Sequence, residues 1–194
     1  MSDLTHPADS APAATSKRDA AGETAAQVAH AKGSQVTAQA VTINKPVAEV
    51  YGYFRNFANL PTFMENVVRI EVRDEKLSHW VVKAPGGATV EWDARVTDEE
   101  PGRFVAWTSE PGADVPNSGR VEFRDAGKRG TVVSATILYD PPAGFIGKIV
   151  AKVFQREPAI QARRDLNRFK QLMETGEIAT SAMNRPQHDQ GRNG

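Results

Sequence analysis

From residue 36 to residue 139, apolar and polar positions follow two periods in turn. Residues 36–43, rich in Val, Thr and Ile, read as a strand. Asn44, Lys45 and Pro46 then start a helix, with Pro near the first helical position, where its missing N–H costs nothing. Val47, Val50, Tyr51 and Phe54 follow at helical spacing and make one apolar face. Asn56 opens a second short helical turn that carries Phe57, Leu60, Phe63 and Met64, with Pro61 inside it. Six strands are predicted next, over 67–73, 77–83, 88–97, 103–109, 118–125 and 131–139. Most of the breaks between them are short, as antiparallel connections are. In the third of these strands Val90, Trp92, Ala94 and Val96 point one way and Glu91, Asp93 and Arg95 the other. Such alternation means a sheet with one buried and one wet face.

The period returns to 3.6 between about residues 143 and 175. Ile146, Ile149, Val150, Val153 and Phe154 form a stripe that Ala162, Leu166, Phe169 and Met173 continue. Pro158 predicts a kink or short break near Glu157, and Gly176 a helix cap. The expected fold class is therefore α+β: a curved antiparallel sheet wrapped around a long C-terminal helix, with two short helices after the first strand. Residues 1–35 hold ten Ala and almost no large apolar side chain, and are expected to be a disordered tail. Residues 177–194 are polar and are expected to be a second one. One domain, 36–176, remains.

Composition narrows the function. The chain has 194 residues, 24 basic and 24 acidic side chains, and no Cys. Disulfides, thiolate nucleophiles and Cys-based metal sites are excluded. A net charge of zero argues against general nucleic-acid affinity. No apolar run has transmembrane length, and the first residues lack a basic region followed by an apolar one. The expectation is a cytoplasmic protein without a transmembrane segment.

Several segments carry a resemblance. They are Ile43 to Tyr51, Leu60 to Met64, Trp80, Val90 to Ala94, Pro101 to Trp107, Gly119 to Phe123, Gly130-Thr131 and Tyr139 to Gly144. In this order they are similar to the START-like (SRPBCC) superfamily, in its polyketide cyclase/dehydrase branch, which includes coenzyme-Q-binding START proteins. The resemblance covers about residues 36 to 176 and implies the helix-grip fold, with a cavity between sheet and helix. It suggests a ubiquinone-like lipid as ligand; nothing in the spacing identifies one. One fold of this kind hosts carriers, cyclases and receptors, so activity does not follow from it.

Catalytic constellations are few. No Gly-rich phosphate loop and no metal-binding His motif occurs. His79, the only His inside the domain, is expected to oppose Trp80 and Val82, and reads as a surface His rather than a general base. Glu91 and Asp93 share a face and read as a solvated stripe, with Arg120 or Arg124 as expected partners. Trp80, Trp92 and Trp107 fall on three successive strands and make either plain core or the aromatic wall of a cavity. From 143 to 175 there are seven basic and three acidic residues, including Arg156, Arg163, Arg164, Arg168 and Lys170. A solvated face explains them, and a transient contact with an anionic membrane surface is the competing reading.

The expected function is binding or carrying of a small hydrophobic ligand, quinone-, lipid- or polyketide-like. The expected lining is Trp80, Trp92, Val105, Trp107, Ser109, Val121, Phe123, Tyr139, Ile149 and Val153. Ser109, Thr131 and Tyr139 are the candidates to orient a ligand oxygen, and the loop 110–118 is the candidate gate. No catalytic residue, metal or cofactor is expected, and the oligomeric state is left open. The alternative is a polyketide cyclase or dehydratase working in the same cavity, against which the almost wholly apolar inward set argues.

Overall fold

The computed structural model describes residues 35–84, 87–139 and 158–178. Strand β1 spans Gln35–Ile43. Pro46, extended at φ −59° and ψ 146°, turns the chain into helix α1, Val47–Arg55. Pro61 has no N–H for a helical ladder, and the next segment is a separate 3-10 helix, Phe57–Thr62. Six strands follow as hairpins: β2 (Val67–Val72), β3 (Leu77–Lys83), β4 (Thr89–Glu100), β5 (Phe104–Ser109), β6 (Asn117–Asp125) and β7 (Thr131–Tyr139). Helix α2, Pro158–Thr175, comes last. Gly176, at φ +78°, ends it in the left-handed conformation, and its N–H donates to the Leu172 carbonyl at 2.8 Å.

All seven strands form one antiparallel sheet in the order β1-β7-β6-β5-β4-β3-β2. The sheet curls into a half-barrel, and bulges in β2 and β4 sharpen local twist. The β4 bulge also explains a difference from the sequence reading, which ends this strand at Thr97. One extra residue between Val96 and Asp98 breaks the alternation, after which Glu99 and Glu100 pair again with β5. The predicted helical half 143–157 lies outside the described residues, as do most of both predicted tails. Of their margins, Gln35 is already in β1 and Ile178 packs against the core.

α2 fills the concave side. Leu166, Phe169 and Met173 are buried, as the stripe predicts. Phe169 stacks on Phe63 with ring centroids 4.6 Å apart, and Tyr53 and Phe54 lie at 6.0 Å. Polar ties fix the helix at its sides. Lys170 Nζ donates to the Thr42 carbonyl (2.6 Å), Arg168 Nε to the Phe63 carbonyl (2.9 Å), and Glu174 Oε1 accepts the Asn44 N–H (2.7 Å). Two of the basic side chains predicted for a solvated face thus anchor the helix, while Arg163 and Arg164 are exposed. No described helix is long and apolar enough to cross a membrane.

Candidate functional site

α1 and the 3-10 helix cover one part of the concave face, where rings from helix and sheet pack on one another. Phe123 meets Tyr51 edge-on at 5.4 Å and Phe54 at 5.6 Å. Between these elements, the curled sheet and α2, a cavity of about 140 Å³ remains, with Phe54, Phe57 and Leu60 on its wall. A volume near 150 Å³, lined by apolar groups, holds one benzene-sized ring.

Strand alternation aims three indoles into this space. Trp80 and Trp92 are cross-strand partners, with ring planes 10° apart and centroids at 6.2 Å. The Trp80 N–H donates to Ser78 Oγ (2.9 Å) and the Trp107 N–H to Asn117 Oδ1 (3.2 Å). With each of these N–H groups satisfied inside the protein, the ring faces are left for apolar contact. Gly119, opposite Trp107 in β6, makes room for its ring: a Cβ there would stand 2.6 Å from Cη2.

Five of the ten residues expected on the lining, Trp80, Trp92, Trp107, Val121 and Tyr139, stand on the cavity wall. Val105 and Phe123 face the same side of the sheet but lie in the packed core, away from the cavity. Ser109 is also off the wall, its Oγ accepting the Asn117 N–H (3.0 Å). Ile149 and Val153 lie outside the described residues. Thr131, fully buried, donates to the Lys45 carbonyl (2.7 Å) and so ties the chain together rather than addressing a ligand. The loop proposed as a gate is held to β4. Glu110 N–H donates to the Asp93 carbonyl (2.7 Å), Asp114 brackets the Glu91 backbone with two bonds, and Val115 is fully buried.

The carboxylate stripe faces outward. Asp93 contacts His79 Nδ1 (2.8 Å) and Arg73 (3.1 Å), and Glu91 lies 3.5 Å from His79. Arg120 and Arg124 are not its partners; Arg120 lies over the Phe104 ring and pairs with Glu122. Among the described residues, no three His, Asp or Glu side chains are grouped to hold a metal ion.

One titrating group on the wall escapes the sequence reading. Asp165 of α2 lines the cavity, partly buried, with Gln161 one turn before it. Its Oδ1 accepts Gln161 Nε2 (2.9 Å) and the Glu65 N–H (3.4 Å). Burial pushes its pKa from the usual 3.8 to about 6, against the lowering effect of these bonds and of Arg168. The nearby Tyr139 phenol is raised in turn, by burial first and then by the Asp165 charge. The signal was present in the spacing: 165 falls between 162 and 169 on the inward stripe.

A pH dependence follows. Between pH 4 and 6 the folded chain holds a proton at Asp165 that the unfolded chain has released. Stability from this group is therefore present below about pH 4 and lost as pH rises through about 6. Asp165→Asn should stabilise the fold by roughly 1–2 kcal/mol at pH 7.5, after discounting for partial exposure. The gain should vanish near pH 3.5, as read by urea denaturation at both pH values.

Comparisons with known proteins agree with the fold. The family model described as "Polyketide cyclase / dehydrase and lipid transport" matches residues 34–174. An uncharacterized 17.2 kDa protein of Streptomyces lincolnensis is 30% identical over 138 residues, 70% of this chain and 87% of its own. A crystal structure from Deinococcus radiodurans is 42% identical, covers 74% of this chain and 100% of its own, and superposes with a TM-score of 0.59. An aromatase/cyclase from Streptomyces sp. R1128 shares the fold at 15% identity, with 75% and 99% coverage and a TM-score of 0.58.

Proposed function

The chain belongs to the polyketide cyclase/dehydrase and lipid transport family, and we propose that it binds and carries a small hydrophobic molecule between sheet and α2. The observation that supports this most is the cavity with its three indoles. Burial of a flat apolar ring there contributes about 25 cal/mol per Å², before the cost of ordering. At about 140 Å³ the space takes one ring, a quinone or phenol head. A prenyl tail or further fused rings would extend beyond it. Arg163 and Arg164, exposed on α2, would meet an anionic membrane during transfer.

Organic extraction of the purified full-length protein, followed by mass spectrometry, tests the reading. A stoichiometric lipid, quinone or aromatic should be released unchanged. An empty protein whose tryptophan fluorescence ignores added hydrophobic ring compounds would overturn it.

A second reading, a cyclase or dehydratase, is favoured by one observation: the Asp165 carboxyl on the wall, with a pKa near the working range of a proton-transfer group. Conversion of an added polyketide-like substrate, abolished in Asp165→Asn, would replace the carrier reading with this one.

A further inference from the structure

Among the described residues, one acceptor of the Asp165 carboxyl is unused. Both of its hydrogen bonds, from Gln161 Nε2 and from the Glu65 N–H, arrive at Oδ1. Among the described residues Oδ2 accepts none, and the side chain stands on the cavity wall. The bonds to Oδ1 hold the group in place, with Gln161 reaching it from the preceding turn of α2 and the Glu65 amide from the segment after the 3-10 helix. An acceptor fixed in an enclosure lined mostly by aromatic and aliphatic side chains discriminates strongly. A ring that brings a hydrogen-bond donor satisfies Oδ2, and an isosteric ring without one takes water from it and gives nothing back.

We propose that Asp165 is the specificity-determining residue of the cavity, selecting a single aromatic ring that carries a hydroxyl group whose O–H donates to Oδ2. This rests on the cavity being a ligand site, as proposed above. A neutral hydroxyl suits the surroundings better than an ammonium. Among the described residues, the charged and titrating groups that act on Asp165 are Arg168 on its own helix, Glu65 beside the 3-10 helix and Tyr139 on β7. Arg168 already supplies a positive charge, and the burial that disfavours the carboxylate would disfavour a second buried ion equally.

The three tryptophans are the only ones in the chain, and all line the cavity, so a brominated ring that enters quenches the protein's own fluorescence. The test titrates the full-length protein at pH 7.5 with 4-bromophenol, 4-bromotoluene and 4-bromobenzylammonium. The phenol should bind about tenfold more tightly than the toluene, since its O–H meets a charged acceptor. In Asp165→Leu that ratio should fall to about one, while 4-bromotoluene still binds and so reports an intact cavity. Asp165→Asn, closest in shape, should give an intermediate ratio and guards against a folding defect in the Leu variant. Equal binding of phenol and toluene by the wild-type protein would overturn the anchoring role and leave the hydrophobic carrier standing. Preference for the ammonium would overturn the hydroxyl assignment. Quenching by none of the three would overturn the anchor together with the ligand site beneath it.

Discussion

Phe169→Ala should lower the stability of the domain by about 3–5 kcal/mol, the range for removing a buried aromatic ring. The side chain is fully buried, and its ring meets Tyr53 and Phe54 of α1 and Phe63 just past the 3-10 helix. Collapse into the gap is resisted by the contact of Phe54 with Phe123 and by the Arg168 bond to the Phe63 carbonyl. Asn167→Ala, at an exposed position of the same helix, should change stability by less than about 0.5 kcal/mol. Urea denaturation of the two variants separates loss of the ring from any general effect on α2. A cost below about 1 kcal/mol for Phe169→Ala would mean that α2 does not seat on this cluster.

Gly130→Ala should cost about 3 kcal/mol or more, for a reason that lies in backbone rather than in core. Gly130 follows the 3-10 turn Gly127–Arg129 between β6 and β7, at φ +86°. A Cβ there would stand 2.6 Å from the Lys45 amide nitrogen and 2.7 Å from Asn44 Cα, and would press closer still on the Ile43 carbonyl oxygen. All three are main-chain atoms that cannot swing aside. Gly112→Ala is the matched control. It too has positive φ, +91°, but nothing lies within 4 Å of its added methyl. It should show the conformational penalty alone, about 1–2 kcal/mol. The excess at Gly130, measured by denaturant unfolding, reports how tightly the β6–β7 turn is seated against the end of β1.

These positions also show what the chain discloses of itself. Strand alternation from Val90 to Val96 and the helical spacing of Leu166, Phe169 and Met173 are local patterns, and local patterns survive folding. They placed all seven strands and the described part of α2 to within a few residues. The site is harder to read because it is defined by what fails to pack. Val105, Phe123 and Trp107 all face inward, yet whether an inward side chain meets another or an empty volume depends on where α1 covers the sheet. Asp165 is hard to read from sequence for a related reason. A carboxylate on an apolar stripe conflicts with the pattern, and such conflicts are where functional residues are expected. The sequence names the conflict; only the fold shows that it opens onto a cavity.

The strand order has a consequence for how the protein is made. β1 pairs with β7 alone, across on the order of 100 residues of chain, so its edge stays open until β7 has left the ribosome. At ordinary synthesis rates that wait lasts about 5–20 s. β3 to β7 need no such delay, since each pairs with the strand just before it. The hairpins can therefore zip in the order of translation, and the half-barrel closes last, when β1 is recruited and Lys170 and Glu174 bring α2 down onto its end. During that interval β1, translated before the other six strands of the sheet, is the one most open to pairing with another nascent chain.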